Sequence, residues 1–362
     1  MDNGLQYRTF SIITTLLVTL FIAGCSDNTP QDMLEDYSNR VSNALDQPDR
    51  LNLKAPVSLP EFPRRRDRLQ PVEDIRQGLV EVFNLRHCQL ITLVAERNSS
   101  LGKVMPPSRQ LAYELELYVG LRDCLKQLIQ TRAEQELIQQ IREILIIKER
   151  NLPLVLWNGI YTSEAVERNF SRSEPPLPLE KNNSFISDKT ALEVLTKLAA
   201  LQNDDTEWPV PAELETLENH YQALYNNRFG SRWLHSVNLL TATLNHTARA
   251  IEKRLDTRPL CYNKQTNPKA NIVRNVFTKY YAGELQPYMA RVDQQGRQWL
   301  QLNNQLLAQF SQIPQPMRHY QQQALSMEFQ DSVWQTYIQA RDRHTKAWQT
   351  LLGQCGLMPG QA

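Results

Sequence analysis

Glycine is scarce in this chain, at 12 of 362 residues. No Gly-x-Gly-x-x-Gly or Gly-x-x-x-x-Gly-Lys-[Ser/Thr] loop is present to cradle a phosphate, and no Gly-x-Ser-x-Gly elbow to present a nucleophilic serine. The six histidines include no pair at i, i+3 or i, i+4 and no His-Glu-x-x-His, so no single helix face offers two imidazoles to a metal. No metal and no cofactor is expected. Alternating runs of Val, Ile and Thr are nearly missing, which argues against a sheet. An excess of charge is missing too: 40 basic against 39 acidic residues leave +1, so there is no global electrostatic argument for a nucleic-acid partner.

What fills the chain is Leu, Gln, Arg, Glu and Ala at helical spacing. The pattern predicts an all-α protein, a multi-helix bundle of long antiparallel helices. Thr29-Pro30 with Asp32 reads as a helix start, followed by Leu34, Tyr37, Val41 and Leu45. Residues 48–71 carry five prolines and the run Arg64-Arg65-Arg66-Asp67-Arg68, a solvated extended connector whose arginines could also meet anionic headgroups. Helices are expected from Val72 to near Asn98, with a central, widely buried second half, then over residues 108–130, 133–150 and 152–170. The polar stretch 171–187 reads as a subdomain boundary. Ser187 or Asp188 is expected to cap a helix ending at Leu201. A helix through Leu214–Leu224, a break at Gly230-Ser231, a helix to Ile251, and two long helices (about 271–312, kinked at Pro287, and 315–352) complete the reading.

The apolar run over residues 10–23 has the length of a signal-peptide core, short of the ~20 residues of a membrane span. It closes on Leu20-Phe21-Ile22-Ala23-Gly24-Cys25, which resembles a bacterial lipobox. The resemblance implies cleavage before Cys25 and its acylation. Ser26 behind the cysteine implies export to the periplasmic face of the outer membrane in a Gram-negative cell. The expected organisation is therefore a signal peptide over 1–24, then a tether over 25–71 comprising lipidated Cys25, a short helix and a Pro/Arg-rich connector. Two helical subdomains follow, over 72–170 and 188–355.

Of five cysteines, Cys88, Cys124, Cys261 and Cys355 remain once Cys25 is lipidated. An even number in an oxidising compartment reads as two disulfides, with buried free thiols as the alternative. Of three connectivities, Cys88–Cys124 with Cys261–Cys355 suits a helical protein best. For the first pair, simple helix packing sets Cys88 opposite residue 116, so residues 99–105 must run back along the preceding helix.

One polar constellation stands out. Glu114 and Arg122 fall within the helical arc of Leu111, Leu115 and Tyr118, and buried charges need partners. Eight residues apart, they cannot pair with each other, so Arg97 or Arg86 is the expected partner of Glu114. The set Arg97, Glu114 and Arg122 is read either as an interhelical ion-pair network or as a ligand pocket. Trp233, Trp299, Trp334 and Trp348 sit on helical stripes and read as core.

The lipobox, Arg97-Asn-Ser-Ser-Leu-Gly-Lys-Val-Met-Pro-Pro-Ser108, Tyr113-Glu114, Leu121-Arg-Asp-Cys124 and the terminal Trp348-x-x-Leu-Leu-x-x-Cys355 together resemble an uncharacterised family of Gram-negative lipoproteins carrying a domain of unknown function. That resemblance implies a location and a helical fold, and brings no catalytic residues. The leading expectation is a non-enzymatic adaptor or assembly factor of envelope maintenance. Its partners would be the membrane, through the anchor, and envelope proteins or peptidoglycan. The alternatives are a binding module for an envelope peptide, glycan or lipid, and an unrecognised peptidoglycan-active enzyme.

Overall fold

The structure, a computed structural model, describes residues 29–47, 49–53, 59–73, 88–181, 184–204 and 206–358. Among them every regular element is a helix and no strand occurs. The principal helices are α1 (Pro30–Ala44), α2 (Ile91–Asn98), α3 (Pro107–Gln130), α4 (Gln135–Tyr161), α5 (Glu164–Asn169), α6 (Ser184–Ala200), α7 (Leu217–Asn227), α8 (Phe229–Thr257), α9 (Pro268–Val276), α10 (Gln286–Leu307), α11 (Gln315–Tyr320) and α12 (Val333–Gln354).

α8 is the hub, touching α1, α5, α6, α10 and α12. Its crossing with α10 is close because each helix sets a glycine under the other's tryptophan. A Cβ on Gly296 would lie 2.1 Å from Trp233 Nε1, and one on Gly230 would lie 2.3 Å from Trp299 Cζ2. The two indoles meet at 5.3 Å between centroids, and Trp233 Nε1 donates to the Val292 carbonyl at 2.9 Å. Trp334 and Trp348 are buried as well, so all four tryptophans on helical stripes belong to the core.

The N-terminal segment is docked rather than tethered. Thr29 and Asp32 form the capping box that opens α1, and Leu34, Tyr37, Val41 and Leu45 are fully buried against α8 and α9. At about 1.5–3 kcal/mol per buried side chain, these four favour the docked state by on the order of 6–12 kcal/mol before entropy is counted. The connector is extended, as expected, but bound. Two asparagines seven apart on α4 hold it: Asn158 exchanges hydrogen bonds with both the N–H (2.9 Å) and the carbonyl (2.7 Å) of Gln70, and Asn151 does the same for Glu73. Arg68, expected in solvent, is fully buried. Its guanidinium donates to the carbonyl of Tyr161 at the C-terminus of α4 (2.6 Å), pairs with Glu167 and lies over the Phe62 ring.

Several boundaries differ from the sequence reading. The expected helix from Val72 falls mainly on residues 74–87, outside the described residues. Its expected buried half is a short peripheral helix, α2, with Val94 as its one buried residue. The helix expected over 152–170 is instead divided at Thr162-Ser163 into α4 and α5. The break expected near residue 151 is absent, because α4 runs through Pro153 with Val155, Leu156 and Ile160 locked in the core. That packing offsets the ~3 kcal/mol penalty of an internal proline. The kink expected at Pro287 is met by a nine-residue π-helical segment, Phe277–Leu285, which joins α9 to α10 as one continuous rod. The last helix is divided: α11 ends in a π turn at Gln321–Leu325, and Ser332 caps a new start at α12. Residues 177–179, within the polar stretch, are fastened to the body. The Leu177 N–H donates to Ser236 Oγ (2.8 Å), its carbonyl accepts from Tyr288 Oη (3.0 Å), and Arg291 holds the carbonyls of Pro178 and Leu179.

Both disulfides are present, Cys88–Cys124 and Cys261–Cys355, each with Cα atoms 5.1 Å apart. The first closes as the spacing demands. Residues 99–105 fold back on the end of α2, where a Cβ on Gly102 would strike the Glu96 and Arg97 carbonyls at 2.2 and 2.3 Å. At the other end, Gln89 adopts a positive φ of 56° and carries Cys88 beyond the helix toward α3. The cores are two. A small one joins α2 to the distal halves of α3 and α4, and a large one runs from Met33 to Cys355.

Candidate functional site

The expected constellation does not converge. Glu114 is mostly buried, but its partner is Lys148 of α4 (2.5 Å), with side-chain exposures of 13% and 11%, in place of Arg97; Arg86 lies outside the described residues. Arg97 instead donates to the Gly102 carbonyl and clamps the 99–105 turn. Arg122 donates to the Trp208 carbonyl, anchoring the 203–211 loop on α3. Each of the three is a separate structural contact. A lysine reaches Glu114 because Lys148 sits on α4, the helix that packs along α3, whereas Arg97 is drawn off by a nearer carbonyl. Glu114→Ala is expected to lower stability by about 2 kcal/mol, less than a fully buried pair because both groups touch water. Thermal unfolding checks it. The double variant Glu114→Leu/Lys148→Leu should recover most of the loss, and a neutral single variant would refute the pairing.

Sequence reading missed two buried polar centres. The first surrounds Asp188, expected as a helix cap. α6 begins earlier, at Ser184, and Asp188 points into the core, fully buried. Its carboxylate accepts from Asn169 Nδ2 (2.8 Å), Asn227 Nδ2 (3.0 Å) and the Phe229 N–H (3.2 Å), while Asn169 Oδ1 accepts from the Gly230 N–H (2.9 Å). α8 starts at Arg228 in the left-handed region (φ 50°) with no side-chain cap of its own, so Asp188 and Asn169 cap it from α6 and α5. Burial pushes the Asp188 carboxyl up to about 6 against the three donors. The signal was available: Asp188 falls on the apolar stripe of Phe185, Ala191, Leu192 and Leu195.

The second centre ties α1 to α12. Tyr37 Oη lies 2.7 Å from His344 Nε2, and Trp348 Nε1 donates toward both, at 2.9 Å to Tyr37 and 3.2 Å to His344. Facing two donors, Nε2 is the acceptor of a neutral ring whose Nδ1 proton has no partner among the described residues. Burial lowers the His344 pKa to about 3.

Beside this centre lies a cavity of about 870 Å³, within the ~300–1,000 Å³ common for ligand sites. The π segment and α9 form one wall with Arg274, Phe277, Thr278, Tyr281 and Ala282. The far end of α12 forms the other with Thr345, Trp348 and Leu352. Phe277, Thr278, Tyr281 and Ala282, two i, i+4 pairs, lie side by side on that wall, and π insertions recur at functional sites. Phe277 meets Trp348 at 5.2 Å, and Tyr281 meets His344 at 4.8 Å. A second, polar cleft lies between Pro106-Pro107 and Glu164, Glu167, Glu218 and Tyr225. All three of its carboxylates are paired, Glu164 with Arg168, Glu167 with Arg68 and Glu218 with Arg109. Among the described residues no group of three or more His, Cys, Asp or Glu side chains is arranged to hold a metal, and no helix is long and apolar enough to cross a membrane.

Comparison with curated proteins and with solved structures finds no significant match. One family model does match, over residues 34–359, taking in most of α1, both disulfides, the two buried centres and the cavity. The chain belongs to the family described as Protein of unknown function (DUF3080).

Proposed function

We propose that the protein is a lipid-anchored, non-enzymatic adaptor or assembly factor on the periplasmic face of the outer membrane. In this reading its long antiparallel helices form a rigid body that engages envelope proteins or peptidoglycan. The observation that carries it is the join between anchor and body. Cys25 of the lipobox stands four positions before Thr29, the N-cap of a helix that is buried from its first turn. Four residues span at most ~14 Å, so acylation at Cys25 would hold the body against the bilayer without a flexible tether. Two disulfides agree with an oxidising compartment. A partner surface is offered by the turn after α2, where Leu101 and Val104 are 81% and 75% exposed on a frame fixed by Arg97 and the Cys88–Cys124 bridge.

The test is metabolic labelling with tagged palmitate. Label should enter the wild-type protein, fractionating with the outer membrane, and be missing from Cys25→Ala. Label retained by the variant, or a protein recovered unlabelled, overturns the anchor and with it the location.

A further inference from the structure

We propose that the cavity between the π-helical segment and α12 binds an anionic single-chain amphiphile, with its acyl chain along Phe277, Tyr281, Trp348 and Leu352 and its head at Arg274. The rings present carbon to the cavity because their polar edges are engaged elsewhere. Trp348 Nε1 is committed to Tyr37 and His344, the Tyr281 hydroxyl to Thr345, and Thr345 Oγ1 itself donates to the Arg341 carbonyl. Thr278, Gln286 and Gln349 also line the cavity, a sparser set of donors and acceptors than a sugar or a peptide backbone would need, whereas a methylene chain needs none. Leu352, Leu357 and Met358 extend the apolar lining.

The head is assigned by charge. Arg274 is the one charged side chain among the lining residues, no carboxylate stands beside it there, and it makes no ion pair among the described residues. An arginine at the mouth of an apolar cavity matches a carboxylate or phosphate on an acyl chain. The wall is preformed: the Tyr37–His344–Trp348 hydrogen bonds fix Trp348, and the Tyr37–Tyr281 ring contact at 6.1 Å braces the π segment. Little ordering is then left to oppose binding. This inference stands apart from the adaptor reading and does not depend on acylation at Cys25.

The experiment uses the full-length protein in phosphatidylcholine nanodiscs with a diazirine-bearing palmitate probe, followed by peptide mapping. Photolabel should fall within residues 274–286 and 345–358. Unlabelled palmitate or palmitoyl lysophosphatidate should compete; palmitate alone competing marks a free fatty acid, and lysophosphatidate alone marks a phosphate head. Uncharged hexadecanol should compete about fivefold less well, the loss also expected for palmitate on Arg274→Gln and reversed in Arg274→Lys. Ala282→Trp, which fills the cavity from a half-buried position, should cut labelling at least about tenfold while leaving the melting temperature near wild type. Label elsewhere in the chain, hexadecanol competing as well as palmitate, or Arg274→Gln without effect would each overturn the assignment.

Discussion

Replacing Asp188 with alanine should cost about 3 kcal/mol of stability at pH 7, and about 3 kcal/mol more at pH 4. The first figure comes from the contacts. Alanine strands Asn169 Nδ2, Asn227 Nδ2 and the Phe229 N–H, and it uncaps α8, the helix on which the core is assembled. Hydrogen bonds to a charged group contribute ~1.5–3 kcal/mol each, but three in one network do not add, and removing a buried charge returns part of the loss. The second figure comes from linkage. Burial raises the folded carboxyl to about 6 from an ordinary 3.8. A raised acid contributes stability that is present below its unfolded pKa and is lost as pH rises through the folded one. About two units correspond to about 3 kcal/mol of wild-type stability gained between pH 6 and pH 4, which the alanine chain cannot gain. Urea unfolding of both proteins at pH 7 and pH 4 checks the pair of values. Equal penalties at the two pH values would show that Asp188 titrates normally.

The same centre shows what sequence could and could not give. Helix identity was legible wherever an apolar stripe and a cap lay in one segment. Thr29-Pro30-x-Asp32 announced α1, and the helical arc of Leu111, Leu115 and Tyr118 announced α3. Both disulfides were legible because four cysteines allow three connectivities, of which the sequential one suits a helical protein best. Illegible were features set by distant chain. Pro153 looks like a stop until the packing of Val155 and Ile160 is known, and α8 looks uncapped until Asp188 and Asn169 are brought to its first turn. Arg68 reads as solvated in a run of arginines, yet it is the residue that meets the last carbonyl of α4. The Glu114 arc correctly signalled a buried acid, but a stripe cannot name a partner on another helix, and Lys148 stood closer than either arginine. The cavity left no motif, because Phe277, Thr278, Tyr281 and Ala282 share one helical face and nothing in that spacing says that Trp348 and Leu352 of a distant helix stand opposite them.

His344 should behave in the opposite sense to Asp188. His344→Phe is expected to be destabilised by about 2 kcal/mol at pH 7 and to become more stable than wild type below about pH 5. At neutral pH the phenyl ring removes the acceptor at 2.7 Å from Tyr37 Oη, while Trp348 Nε1 keeps Tyr37 as its partner. On acidification the histidine itself becomes the burden. Its folded pKa is lowered from 6.5 to about 3 by burial, and no carboxylate among the described residues offsets that. A group depressed in the folded state contributes stability that is present above its unfolded pKa and lost as pH falls. Each unit below 6.5 therefore removes about 1.4 kcal/mol from the wild type and nothing from the variant, so a 2 kcal/mol deficit is erased after about 1.5 units. Because Asp188 gains stability over part of the same range, the wild-type profile between pH 6 and 4 should be nearly flat, and the two groups become visible only when one is removed. Denaturant unfolding of His344→Phe across pH 7 to 4 should show the crossing. A variant that stays below wild type throughout would mean that the imidazole reaches water or an acid on protonation, which would require α12 to part from α1 and open the wall behind Trp348.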